Sequence, residues 1–203
     1  LNLKKYQEAQ QKKKWIEDIP PILNCNMTIG VLGIGFLGSF VANQIKKLGY
    51  NVIGFKNSKP TKNYSFPVLY KKNSLKKFLN KSNVIVSILP STKETQHMIN
   101  KFFLQAMKKK SLLINVGRGS TLNEKDLIIH LKRNKNFCVS LDVFEKEPLL
   151  KSHPLWKMPN VIITPHIASL TVIDAAVKYM YFKYCEYLKN GRIKNDINLQ
   201  KGY

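Results

Sequence analysis

The sequence predicts an α/β fold built as a doubly wound parallel sheet. Three observations carry that expectation. Short apolar runs recur along most of the chain, stretches of helical periodicity separate them, and a Gly-rich turn joins the first run to the first helix after it. Strand–helix alternation of this kind sets successive strands parallel and covers the sheet with helices.

Residues 1–26 read as a crossover helix and linker, rich in Lys and Gln up to position 19, with Pro20-Pro21 ending any helix there. Residues 27–170 read as the main domain. Strands are predicted at Thr28–Leu32, Asn51–Phe55, Val84–Leu89, Leu112–Val116, Phe137–Val143 and Val161–Thr164. After the first strand, Leu37, Val41, Ile45 and Leu48 recur at helical spacing, and Gly49 follows as a stop. Asn123 with Asp126 resembles a helix start. Leu127, Ile128 and Leu131 form that helix's apolar face, and Lys132 and Arg133 sit at its end. Residues 171–203 supply a last helix, about Val172 to Lys189, and a tail. Ile173, Val177, Met180, Tyr184 and Leu188 share one face of that helix. His97 and His130 fall in helical stretches at the surface, and His153, before Pro154, is expected to structure its loop.

At 203 residues the chain holds one well-cored domain plus an extension. No apolar run approaches the length of a membrane span. The net charge of +22 raises a nucleic-acid partner, but it comes from 31 Lys and only three Arg, beside 19 Asn. Lys and Asn have A/T-rich codons, so base composition explains the excess. Arg, the residue suited to bidentate phosphate and base contacts, is nearly absent. The expectation is weak, salt-sensitive attraction and no specific nucleic-acid binding. Cys25, Cys138 and Cys185 are odd in number and widely spaced, fitting a reducing cytoplasm rather than a disulfide framework or zinc site. No Asp/Glu/His/Cys group has metal-ligand spacing, and none is expected as a metal site.

Gly33-Ile-Gly35-Phe36-Leu37-Gly38 follows the first strand directly and opens a helix. In that setting GxGxxG has a mechanism. Gly33 permits the tight turn, Gly35 lets backbone approach a pyrophosphate, and Gly38 lets helix pack on strand, with free N–H groups facing the anion. This is the signature of a Rossmann-type dinucleotide-binding fold. A carboxylate after the second strand usually holds the ribose 2′-hydroxyl of NAD. Here that segment reads Lys56-Asn57-Ser58-Lys59, and no Asp or Glu occurs from Ile19 to Lys93. Two lysines and two small polar residues suit a 2′-phosphate, so NADP is expected, with NAD as the alternative.

Ligands in open α/β sheets sit beyond the carboxyl ends of the strands. Three chemically useful residues lie there. Arg118 follows Leu112–Val116 in Asn115-Val116-Gly-Arg-Gly119, Glu147 follows Phe137–Val143, and His166 follows Val161–Thr164 in Thr164-Pro-His-Ile-Ala-Ser169.

With Ile88-Leu89-Pro90-Ser-Thr-Lys-Glu-Thr95, Leu141-Asp142-Val-Phe144, Glu147-Pro-Leu149 and His153-Pro-Leu-Trp156 added, the chain resembles the D-isomer-specific 2-hydroxyacid dehydrogenase family. Its likeness is greatest to the glyoxylate/hydroxypyruvate reductase branch, and it runs from about Trp15 to the ending Lys201-Gly-Tyr203. The resemblance implies NAD(P)H-dependent reduction of a short 2-keto acid to the 2-hydroxy acid. It makes His166 the general acid/base, Glu147 its partner favouring the imidazolium, and Arg118 the holder of the substrate carboxylate. Asp142 would contact the nicotinamide carboxamide, and Leu89, Pro90 and Val116 would lie against the cofactor. A homodimer through the cofactor domains is implied as well.

Two departures matter. That branch carries an arginine where Asn57 aligns, so the NADP expectation rests on Lys56 and Lys59. The family also has an N-terminal portion that completes the substrate site, whereas this sequence is read as starting in the crossover helix. A non-catalytic dinucleotide-binding remnant or sensor is therefore the alternative to an enzyme.

Overall fold

A computed structural model describes residues 3–17, 22–60 and 63–193. Its elements run α1 (Leu3–Gln11), β1 (Thr28–Leu32), α2 (Phe36–Lys47), β2 (Asn51–Lys56), β3 (Val68–Tyr70), α3 (Leu75–Lys81), β4 (Val84–Ser87), α4 (Lys101–Ala106), β5 (Leu112–Asn115), α5 (Glu124–Arg133), β6 (Cys138–Leu141), β7 (Val161–Ile163) and α6 (Ile173–Asn190). The strands form one sheet in the order β3-β2-β1-β4-β5-β6-β7, every pairing parallel. This is the doubly wound arrangement. Strand order reverses between β1 and β4, and the crevice at that switch opens at the carboxyl ends.

All six expected strands are present, several shorter than their apolar runs. β4 ends at Ser87 rather than Leu89 because the chain there turns into the loop that packs on Gly33 and Gly117. The sequence reading missed β3, α3 and α4. β3 has three half-buried residues at the sheet edge, too few to show alternation.

Near-continuous apolar strands bury β1, β2 and β4 on both faces, as parallel sheets require. The main core gathers Leu32, Phe55, Phe78, Ile85, Leu104, Leu113, Leu127 and Phe137, joining the sheet to α3, α4 and α5. α5 matches its expected face, with Leu127 and Leu131 fully buried. α2 does not. Its buried residues are Gly38, Ser39 and Ala42, while Leu37 and Leu48 are exposed. A helix that begins against a tight turn must approach the strand closely, so small residues face inward.

His97 is also corrected. It lies in a turn with φ +48°, not in a helix. His130 is helical as expected but half-buried, edge-on to Phe137 at 4.7 Å. α6 matches its predicted span and ends on left-handed Gly191, yet none of its residues is buried. α1 ends at Gln11, before Pro20-Pro21; those prolines and the tail from 194 to 203 lie outside the described residues. Among the described residues no helix is long and apolar enough to cross a membrane, and no cluster could hold a metal.

Candidate active site

The parallel sheet brings every strand's carboxyl end to one rim, and the expected site residues gather there. Gly33 holds φ +100°, donates its N–H to Phe55 O at 2.9 Å, and a Cβ there would press on Ile88 O at 2.9 Å. A Cβ on Gly38 would overlap the Gly33 carbonyl oxygen. The turn is thus closed on itself and on the β4 loop. Gly35 is different, because a Cβ there meets nothing within 4 Å. It caps α2 without any side-chain hydrogen bond, so the first-turn amides of Phe36, Leu37 and Gly38 have no partner within the helix. A pyrophosphate fits that cradle by charge and by shape.

The neighbouring loops extend the rim. Leu89 is buried and Pro90 half-buried, and a Cβ on Gly117 would press on Leu89 O at 2.6 Å. This contact sets half-buried Val116 beside the β4 loop. Lys56 is half-buried at the end of β2, and Asn57, Ser58 and Lys59 are exposed after it.

Arg118 stands on a backbone pinned from below. Its carbonyl accepts from Thr121 Oγ1 at 2.6 Å and from Asn115 Nδ2 at 3.4 Å, and both of those residues are fully buried. The exposed guanidinium donates to Gly117 O at 2.9 Å and makes no ion pair among the described residues. It is free to take a planar anion.

His166 and Glu147 meet across the β6 and β7 loops, with Nδ1 and Oε2 2.7 Å apart. An ionised carboxylate only accepts, so Nδ1 carries the hydrogen and Nε2 is left to exchange a proton. Glu147 Oε1 accepts from Phe144 N at 2.9 Å. Burial pushes the Glu147 carboxyl up, but the hydrogen bonds from His166 and Phe144, with the imidazole's charge, hold it below the usual range.

Asp142 is nearly buried, and its carboxylate accepts from Thr164 Oγ1 at 2.5 Å, Ile167 N at 3.0 Å and Ala168 N at 2.9 Å. His166 N donates to Asp142 O at 2.8 Å. Burial raises this carboxyl too, and the three hydrogen bonds with His166's charge more than offset it. One residue therefore shapes the whole loop that presents His166.

Sequence reasoning missed a supporting network behind these loops. Glu124 N donates to Glu145 Oε1 at 3.1 Å, and Glu145 N donates to Glu124 Oε1 at 2.8 Å. His97 Nε2 lies 3.2 Å from Glu145, and His153 Nε2 lies 3.2 Å from Glu124. His153 also accepts from Leu155 N at 3.4 Å, so it structures its loop as expected. Glu94, likewise missed, reaches Asn57 from the β4 loop at 3.5 Å. No local spacing signals contacts made between loops of different strands.

Residues 1–168 match the family model described as D-isomer specific 2-hydroxyacid dehydrogenase, NAD binding domain. The chain is 33% identical over 201 residues to a glyoxylate/hydroxypyruvate reductase A of Escherichia fergusonii, covering 98% of this chain and 63% of that protein. To the Enterobacter sp. (strain 638) protein of the same name it is 36% identical over 202 residues, with the same coverage of 98% and 63%. It thus spans under two thirds of these curated relatives. Among solved structures, it superposes with a TM-score of 0.92 and 30% identity on a D-isomer specific 2-hydroxyacid dehydrogenase of Xanthobacter autotrophicus in complex with NADPH and MES. That match covers 100% of this chain and 83% of the other. An NADPH-dependent glyoxylate/hydroxypyruvate reductase of Sinorhizobium meliloti, in complex with NADP and sulfate, gives 0.91 and 27%, covering 100% of this chain and 65% of that one.

Proposed function

This chain belongs to the D-isomer specific 2-hydroxyacid dehydrogenase family, and from that premise we propose that it serves an NADPH-dependent reductase of glyoxylate, hydroxypyruvate or a similar short 2-keto acid. The observation that carries the reading is the 2.7 Å bond from His166 Nδ1 to Glu147 at the rim that also holds the GxGxxG cradle. When bound, the reduced nicotinamide supplies the hydride.

The chain's own residues do the rest. The amides of Phe36, Leu37 and Gly38 hold the pyrophosphate, and Gly35 leaves it room. Lys56, Asn57, Ser58 and Lys59 receive the ribose with its 2′-phosphate, while Leu89, Pro90 and Val116 line the apolar side. Asp142 keeps lone pairs for a carboxamide N–H beyond the three bonds it already accepts. Arg118 clamps the substrate carboxylate with its planar fork. Glu147 fixes the imidazole by its Nδ1–H, so His166 delivers the Nε2 proton to the keto oxygen and takes it back in the reverse direction. We place this activity in a cytoplasmic homodimer. Three free thiols support the compartment, and the uncovered apolar residues of α6 support a partner surface.

The test is fluorescence titration of the 203-residue chain with NADPH and NADH, with keto-acid reduction assayed on a version carrying the N-terminal portion its relatives have. NADPH is expected to bind more tightly. Tighter NADH binding overturns the cofactor assignment, and no reduction of either keto acid overturns the activity.

A further inference from the structure

The carboxylate that the segment after β2 lacks reaches it from another loop. Glu94 lies in the turn after β4, and its Oε2 stands 3.5 Å from Asn57 Nδ2. That turn is firmly built. Thr95 Oγ1 donates to Pro90 O at 2.6 Å, Thr92 N donates to Thr95 Oγ1 at 2.9 Å, and the N–H groups of Thr95 and Gln96 return to Thr92 O at 3.1 and 3.0 Å. Thr95 is buried, so its anchoring bonds are sheltered from competing water. Glu94, next to it, is exposed.

Its surroundings make the placement informative. Between Met27 and Leu170 the other carboxylates are Glu124, Asp126, Asp142, Glu145 and Glu147, all following β5 or β6. Glu94 is the acid at the β2–β1–β4 end of the rim, where Lys56, Lys59 and Lys93 are its cationic company in sequence.

We propose that Glu94 is a selectivity residue for the adenosine ribose. It sets a negative charge beside Asn57, where the ribose 2′ substituent would lie, and opposes the attraction of Lys56 and Lys59 for a 2′-phosphate. This rests on the rim being a dinucleotide site and deepens that reading. A carboxylate accepts a hydrogen bond from a ribose hydroxyl and repels a phosphate monoester carrying about −1.5 to −2 charge. At an exposed position such interactions are modest and fall with added salt. Glu94 therefore narrows the preference for NADPH and keeps NADH a usable ligand.

The experiment titrates the 203-residue chain, Glu94→Gln and Glu94→Ala with NADPH and NADH at low and high ionic strength. Gln keeps an oxygen that accepts from Asn57 and removes only the charge. The Kd ratio of NADH to NADPH is expected to rise roughly three- to tenfold in both variants at low salt, with the gain shrinking as salt is added. A shift in the Ala variant alone makes Glu94 a structural prop and overturns the proposal. Both cofactors binding with an unchanged ratio overturns the role of Glu94 and leaves the dinucleotide site standing. Failure of every version to bind either cofactor overturns both.

Discussion

His166 sits at φ +55°, in the left-handed region that a side chain with a Cβ seldom adopts. The hydrogen bonds from residues 166, 167 and 168 to Asp142 hold it there, and the reward is an imidazole locked onto Glu147. Function and backbone strain separate cleanly at this position. His166→Ala and His166→Gly are both expected to lower kcat by ~10²–10⁴-fold in an enzyme with a complete substrate site, leaving cofactor affinity nearly intact. The two variants part in stability. Gly adopts this φ freely, so His166→Gly is expected to be more stable than His166→Ala by about 1 kcal/mol. Urea unfolding measures the difference, and equal midpoints count against strain at this residue. The placement of Arg118, Glu147 and His166 at one rim was legible in the sequence because each follows a predicted strand, and a parallel sheet gathers such positions. The Glu94–Asn57 contact and the Glu124–Glu145 exchange were not, because they depend on how separate loops stack.

At the scale of elements, Asp142 is the joint between β6 and the loop after β7. Its carboxyl titrates below the ordinary range in the folded chain, so the unfolded chain takes up a proton first as acid is added. The stability this group contributes is fully present above about pH 4 and is lost as pH falls through the lower, folded value. Asp142→Asn is expected to be less stable than the parent at pH 7, with the gap closing below about pH 4. Denaturant unfolding at a series of pH values checks it. A gap independent of pH would point to lost shape rather than lost charge. Strand existence was readable because β1, β2 and β4 are almost uniformly apolar, the mark of burial on both faces. Strand ends were less so, since an apolar run continues past the last ladder bond into the loops at Leu89 and Val143. The inner face of α2 was read only in part, for a related reason. Close packing selects Gly38, Ser39 and Ala42, which carry little hydrophobic signal.

For the molecule as a whole, the cofactor side of the expected cleft is present, and α6 projects with all eighteen of its residues outside the core. The chain spans 63% of the length of its Escherichia fergusonii relative. The 203 residues alone are therefore expected to bind cofactor but to turn over little keto acid, since positioning can be worth ~7–11 kcal/mol of barrier. Comparing kcat/KM of this chain with that of a version extended to its relatives' full length tests the point. Comparable values would show that one wall of the cleft suffices.

The strand order has a consequence for how the chain assembles. β1 is central, and its two edges are filled at different times. Residue 28 pairs with residue 51, but residue 29 waits for residue 84. During synthesis β1 thus gains β2 early and then holds an unpaired, apolar edge open until β4 leaves the ribosome. Closing that long loop is the costly entropic step, and parallel pairings at such separation are slow. Until it closes, the open edge can template another nascent chain. The hazard belongs to the order of arrival, and in the finished sheet both edges of β1 are occupied.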